Sequence, residues 1–281
     1  MNTVKSFLTF CLIAIGTIAC KETPSETTQV EDVRTQIEMV TTKGTMVLEL
    51  YNETPKHRDN FIKIANDKVL DSVLFHRVIE GFMIQGGDPD SKTAQPGERL
   101  GSGGLGYKVD AEFLPELFHK KGVLAAARDG NLQRASSSTQ FYIVQGDIIE
   151  NDSLIDRDQE RINGWLAEHY FKNDPLNKAL VDSVQSAIDS KNWDNYRLYN
   201  DSIKVLAENY TNFDKYSIPA GHREVYKTLG GVPFLDQNYT VFGEVVQGLE
   251  IVDSIAGVET DPNDRPVEDV RILSVKVIKE E

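Results

Sequence analysis

The side chains best equipped for chemistry gather between Phe75 and Asp88, where His76, Arg77 and Gln85 stand among Phe75, Phe82 and Met83. Arg77 brings a planar fork of N–H donors that stays charged at any physiological pH. His76 beside it invites acid–base chemistry. Two further segments suggest ligands at first sight. Gly101-Ser102-Gly103-Gly104-Leu105-Gly106 has the glycine density of a phosphate cradle, but no helix start and no Lys-Ser or Lys-Thr pair accompanies it, so it reads as a turn. Asp88 and Asp90 open like a calcium loop, yet neither the central Gly nor the closing Glu stands in place. The two cysteines, Cys11 and Cys20, fall in the first twenty residues, which excludes a disulfide framework or a thiolate metal site from the rest of the chain.

Such residues need elements to hold them. Gln36-Ile37-Glu38-Met39-Val40 and Met46-Val47-Leu48-Glu49-Leu50 alternate or run apolar, with Lys43-Gly44 as a hairpin turn. Thr54-Pro55 predicts a helix with Thr54 as N-cap and Phe61, Ile62 and Ala65 on its apolar face. Strands are predicted over 73–77 and 83–85, joined through Gly81, and alternation would put Phe75 and Arg77 on one face. Residues 88–108 are rich in Gly, Pro, Ser and Asp and read as a long surface loop. Short buried strands follow at 122–127 and 140–145.

The pattern then changes. Ile162, Trp165, Leu166 and Tyr170 recur at helical spacing, as do Leu180, Val184 and Ile188, then Ile203, Leu206 and Tyr210. Strand character returns over 239–246, with a short helix over 249–255 and a last strand over 267–278. A β-rich body, residues 35–147 and 228–281, is thus interrupted by a helical insertion over 148–227, about eighty residues and far longer than an ordinary loop. It is either a stable decoration, the reading favoured here, or an arm that binds partners.

The run Phe75-His76-Arg77-Val78-Ile79-Glu80-Gly81-Phe82-Met83-Ile84-Gln85-Gly86-Gly87-Asp88 resembles the most distinctive segment of the cyclophilin-type peptidyl-prolyl cis-trans isomerases. Gly122-Val123-Leu124-Ala125-Ala126-Ala127-Arg128, Gln140-Phe141-Tyr142-Ile143-Val144, Phe234-Leu235-Asp236 and Tyr239-Thr240-Val241-Phe242-Gly243 follow in the family's order. The resemblance covers about residues 36–146 and 230–279. It implies a mainly β fold, an eight-stranded antiparallel barrel capped by two helices, with the active face on the outside. It also implies an activity: rotation about X-Pro bonds, with no covalent intermediate and no cofactor. An X-Pro bond turns slowly because rotation breaks amide resonance, a barrier of about 18–20 kcal/mol. A donor aimed at the proline nitrogen, others following the carbonyl oxygen, and an apolar grip on the ring would lower it.

By the same resemblance Arg77 is the catalytic donor and His76 is structural. Phe82, Met83, Phe141, Phe234 and Leu235 form the proline pocket. Gln85 and Gln140 match polar positions, Gln85 binding substrate backbone and orienting Arg77. Ala127 and Arg128 lie along the substrate, Arg128 through its main chain. Phe234 stands where many members have Trp and Tyr239 where many have His, which keeps the wall aromatic but removes an indole donor, so cyclosporin should inhibit weakly. Ala126 replaces a bulkier Met and should enlarge the neighbouring pocket, which takes the residue two before proline.

Composition is that of an ordinary soluble protein. The formal net charge is -14, with 40% hydrophobic and 26% charged residues, which disfavours nucleic acid as a partner. Lys5 and the apolar run from Phe7 to Ile18 read as an export signal over residues 1–19. The stretch ending Ile18-Ala19-Cys20 resembles a bacterial lipobox, which implies a lipid on Cys20, and the polar residues 20–34 read as a flexible tether. The expected protein is a monomer, lipid-anchored in the cell envelope on the outer membrane, that acts on proline-containing polypeptides as they fold. The alternative is a proline-binding chaperone or envelope-assembly module whose insertion makes the contacts.

Overall fold

Alternating burial builds the wall of the sheet from its first hairpin. In β1 (Gln36–Thr41) and β2 (Gly44–Leu50), Ile37, Met39, Met46, Leu48 and Leu50 turn inward and are fully buried, while the residues between them face out. The computed structural model describes residues 33–279, so the export signal, Cys20 and all but the last two residues of the tether lie outside the described residues. No helix among the described residues is long and apolar enough to cross a membrane.

The remaining strands of the main sheet are β3 (Phe75–Ile79), β4 (Met83–Gly86), β6 (Val123–Ala126), β8 (Phe141–Val144), β9 (Val241–Gln247) and β10 (Ile272–Lys279). They run antiparallel in the order β10-β1-β2-β9-β6-β8-β4-β3. The sheet curls until the segments leading into its two edge strands meet: Ser72 N donates to Ile272 O at 2.8 Å, Ile272 N to Val73 O and Phe75 N to Val270 O at 2.9 Å. Two short strands, β5 (Lys108–Val109) and β7 (Ser136–Ser137), pair separately. The curled sheet and its eight antiparallel strands are the architecture the sequence resemblance implies.

Two helices cap the core. From α1 (Pro55–Asn66) come Phe61, Ile64 and Ala65, and from α6 (Leu249–Ala256) come Val252, Ile255 and Ala256, all packed with Phe75, Phe141 and Phe242. Thr54 stands at the N-cap of α1 with Pro55 after it, as expected, but its side chain makes no capping bond; Glu112, far along the chain, accepts instead from Lys56 N at 3.1 Å, His57 N at 3.0 Å and His57 Nδ1 at 2.7 Å. Although burial opposes it, these hydrogen bonds hold the Glu112 carboxyl below its usual range.

Between β8 and β9 the chain forms α2 (Asp152–Asn173), α3 (Lys178–Asp189), α4 (Trp193–Ala207) and α5 (Ala220–Thr228). Asn151 caps α2, accepting from Ser153 N at 2.9 Å. Two small cores hold these helices. Ile155, Ile162 and Leu166 pack with Ile218, Tyr226 and the body residue Phe118, while Phe171, Ile203 and Ala207 pack with Leu180, Val184 and Tyr210. Leu206 and Tyr170, which share the helical spacing, are exposed instead, because Ala207 takes the inner position on α4 and Phe171 the one on α2. The last strand is also shorter than the apolar pattern suggests: Val267 is exposed, and residues ahead of β10 are held by Arg265, which donates to Gln95 O at 2.9 Å and Glu98 O at 3.1 Å.

Candidate active site

One extra residue in β3 aims the site. Phe75 pairs with Gly86 and Arg77 with Gln85, so His76 is a bulge in β3 with no opposite number on β4. The bulge reverses the alternation: Phe75 points into the core, and Arg77, two residues on, points out. The expectation that these two share a face is thereby corrected. His76 fills the bulge, buried, and burial pushes its imidazole down to about 4. That fits a structural ring, not an acid or base working near neutrality.

Register carries the outward face across three strands. Gln85 pairs with Tyr142 and Met83 with Val144, and Ala125 pairs with Tyr142 from the other side. The inward face holds Ile84, Ile143, Leu124, Ala126 and Phe141. Two expectations change with it. Phe141 is not a pocket residue; it is buried edge-on between Phe61 and Phe75, with ring centroids 5.6 and 6.2 Å away. Its neighbour Tyr142 takes the pocket wall. Ala126 likewise faces the core, so its small side chain does not enlarge any cavity on the active face.

The pocket so formed has a volume of about 170 Å³. Its walls are Phe82, Met83, Tyr142, Leu235 and Tyr239, closed by Ala127, with Arg77, Gln85 and Arg128 at the mouth. Phe82 follows Gly81, whose φ of +74° makes the turn that delivers it, and the Phe82 carbonyl accepts from Gln145 N and Gly146 N at 3.0 and 3.1 Å. Leu235 rides a tight turn, Pro233–Leu235. Tyr239 stands edge-on to Tyr142 at 5.9 Å, and the Arg128 guanidinium lies 4.7 Å over the Tyr239 ring.

Phe234 sits at the rim instead of lining the pocket. It stacks on Phe82 at 5.7 Å and is covered from outside by α2, with Trp165 edge-on at 6.1 Å and the Arg161 guanidinium 3.9 Å above its ring. The helices between β8 and β9 therefore touch the wall of the pocket.

Arg77 has a different partner from the one expected. Its Nε lies 3.4 Å from an Asp264 oxygen and its guanidinium 5.9 Å from the Phe82 ring centroid. Gln85 instead donates to Gln140 Oε1 at 3.3 Å, and Gln140 donates to Gly103 O at 2.8 Å. This pair borders a second cavity, about 670 Å³, walled by the glycine-rich loop with Ser137 and Ser138. Asp88 pins that loop by accepting from Gly101 N at 2.5 Å. Among the described residues no group of three or more His, Cys, Asp or Glu is arranged to hold a metal ion.

Beneath the pocket lies a polar network that the motifs did not reveal. Asp236 accepts from His119 N and Nδ1, both at 2.9 Å, and from Tyr226 Oη at 2.8 Å. A carboxylate only accepts, so the proton of a neutral His119 sits on Nδ1 and Nε2 takes the Tyr142 hydroxyl at 2.9 Å. Burial pushes the Tyr142 phenol well above its ordinary value, so it stays protonated. The pocket tyrosine is thus oriented from behind by a histidine and an aspartate. The pairing of one Tyr with a distant His and Asp left no local signal; only the burial of three polar groups at one place finds it.

Comparison with known proteins bears on the whole arrangement. Residues 36–169 and 222–277 match the family model described as cyclophilin type peptidyl-prolyl cis-trans isomerase/CLD. Two proteins whose assigned names place them among the peptidyl-prolyl cis-trans isomerases are similar along nearly their full length. That of Staphylococcus saprophyticus subsp. saprophyticus is 27% identical over 257 residues, covering 91% of this chain and 98% of its own. That of Staphylococcus haemolyticus is 28% identical over 255 residues, covering 90% and 96%. The crystal structure of a cyclophilin type peptidyl-prolyl cis-trans isomerase from Cryptosporidium parvum shares the fold, with a TM-score of 0.53 at 18% identity over 89% of this chain and 100% of the other. The same protein crystallised in the presence of the dipeptide Ala-Pro gives 0.51 at 18% identity, over 87% and 99%.

Proposed function

The chain belongs to the cyclophilin-type peptidyl-prolyl cis-trans isomerases, and from that premise we propose that the pocket beneath Arg77 grips the proline ring while Arg77 drives rotation of the bond before it. The observation that carries this reading is the outward face itself: an aromatic-walled cavity of about 170 Å³ with the guanidiniums of Arg77 and Arg128 at its mouth, Arg77 on the Phe82 side and Arg128 over Tyr239. The ring packs against Phe82, Met83, Leu235 and the rings of the two tyrosines, with the polar groups at the mouth. As the amide twists, its nitrogen regains a lone pair, and an Arg77 N–H directed at it stabilises the twisted state more than the planar one. Gln85 and Gln140 offer donors and acceptors to the substrate backbone beside the pocket. The rotation forms and breaks no covalent bond, so the chemistry asks for no cofactor.

The clients we infer are exported polypeptides folding outside the cytoplasm. The basis is the sequence of residues 1–34, with its export-like start, the cysteine at position 20 and a polar tether. On this reading the lipid on Cys20 holds a monomeric enzyme at the envelope, on the outer membrane. Isomerisation of an Ala-Pro test peptide by the protein and by its Arg77→Ala variant tests the catalytic assignment. The expected result is a large acceleration that falls about a hundredfold or more in the variant. A folded protein that gives no acceleration would sink it.

A further inference from the structure

Three cavities meet at Arg128: the proline pocket, the cavity along Gln140 and the glycine loop, and a third of about 210 Å³ between the 128–134 loop and α2. The third owes one wall to the insertion. Trp165, Glu168, His169 and Lys172 are spaced so that one face of α2 turns toward the loop. Arg128 and Tyr239 line both this cavity and the proline pocket, so the two are neighbours that share a wall.

Its charge runs against that of the molecule. In a protein of net charge -14, this cavity is walled by Arg128, Arg134 and Lys172. Its one carboxylate, Glu168, is already paired with Lys172. Among the described residues neither Arg128 nor Arg134 makes an ion pair. Arg128 donates to Asn238 O at 2.9 Å and Asp129 O at 3.0 Å, and Arg134 to Gln237 O at 2.9 Å. The Arg134 guanidinium packs 4.5 Å over the Phe113 ring, but its buried Nε has no hydrogen-bond partner among the described residues, a costly arrangement unless something supplies an acceptor. The neighbours register the convergence of charge. Burial, with Arg134, Arg128 and Lys172 adding to it, pushes His169 down to about 4; burial, with Arg128 adding to it, brings Arg134 down to about 10.

We propose that this cavity is a subsite for an acidic side chain of the client, carried on the residues that follow the proline and held between Arg134 and Lys172. The inference rests on the isomerase reading of the neighbouring pocket. On this proposal the residues before proline run along the Gln85–Gln140 pair and its cavity, so a chain leaving the pocket on its other side passes between the loop and α2. The insertion is then part of the substrate surface, and selects clients with Asp or Glu just after proline over neutral or basic ones.

The test uses Ala-Pro peptides with Glu, Gln or Lys at the second or third position after proline. Dissociation constants come from the fluorescence of Trp165, one of two tryptophans in the chain, and kcat/KM from isomerisation. The Glu peptide should bind about five- to tenfold more tightly than the Gln peptide, and the Lys peptide more weakly than either. Raising the salt to about 0.5 M should shrink the difference. In Lys172→Glu, on a partly exposed helix face, and in Arg134→Gln, the Glu-over-Gln ratio should fall to about one or below. A ratio of one in the unaltered protein, or a ratio untouched by both variants, overturns the proposal. Absence of turnover with every peptide would remove the isomerase reading, while the ratio of dissociation constants would still decide the subsite.

Discussion

Arg77 meets its task already constrained, with Asp264 on one side of the guanidinium and the Phe82 ring on the other. The Asp264 carbonyl also accepts from Val78 N at 2.7 Å, so the acid is locked to the strand whose arginine it faces. Asp264 is a positioning residue: removing it frees the guanidinium without removing the donor. Asp264→Ala should lower kcat/KM about three- to tenfold and have no added effect in an Arg77→Ala background. Additive losses in the double variant would show that Asp264 acts elsewhere. His76 makes a second prediction at this scale. Its ring is held neutral in the fold, with a value near 4 against about 6.5 in the unfolded chain. Above 6.5 neither state binds the proton and stability is full. As pH falls from 6.5 toward 4 the unfolded chain takes up a proton the folded one refuses, and up to about 3 kcal/mol is lost. Urea titrations at pH 7 and pH 4.5 should show that loss shrink in His76→Gln. An equal loss in both proteins would assign the acid sensitivity to other groups.

The strands explain which parts of the site could be read without coordinates. Phe82, Met83, Leu235 and Tyr239 were legible because each sits in a motif whose order and spacing are distinctive. Phe141 and Tyr142 were not distinguishable, because β8 and its neighbour β6 are buried on both faces, and all four residues of each read as apolar or aromatic. Alternation marks a face only where one side meets water. Ala126 was read as facing the active side for the same reason, whereas it is Ala127 that lines the pocket. The bulge at His76 hid the rest, since one unpaired residue inverts the parity of everything after it. Partners distant in sequence, such as Glu112 at the start of α1, leave no local trace either. That contact can be tested at its own scale. Glu112→Ala strips acceptors from two N–H groups of the first turn and from His57, and should cost about 1–3 kcal/mol in urea unfolding. A cost below about 0.5 kcal/mol would mean that water replaces the carboxylate fully.

At the scale of the molecule, the question is whether body and insertion fold as one. Their joint is made by specific contacts. Gly231, where the chain returns from the insertion, has a φ of +152°, and a Cβ there would lie 2.4 Å from His119 O and 2.7 Å from Tyr226 Cε1. Tyr226 of α5 is fully buried, with its ring edge-on to Phe118 of the body and its hydroxyl on Asp236, and Asp236 holds His119, which holds the pocket residue Tyr142. An insertion that unfolded alone would expose this hydroxyl and strand a buried carboxylate oxygen, so local opening of α5 is penalised by the same network that orients the pocket. Thermal unfolding should therefore follow one transition, with fluorescence from the insertion's tryptophans and circular dichroism from the whole chain coinciding. Tyr226→Phe keeps the ring packing and removes only the hydroxyl. It should cost about 1–3 kcal/mol and separate the two signals, the fluorescence change moving to lower temperature. Coincident signals in the variant would mean that apolar packing around Phe118 and Tyr226 alone couples the two parts, and the hydroxyl only tunes the pocket.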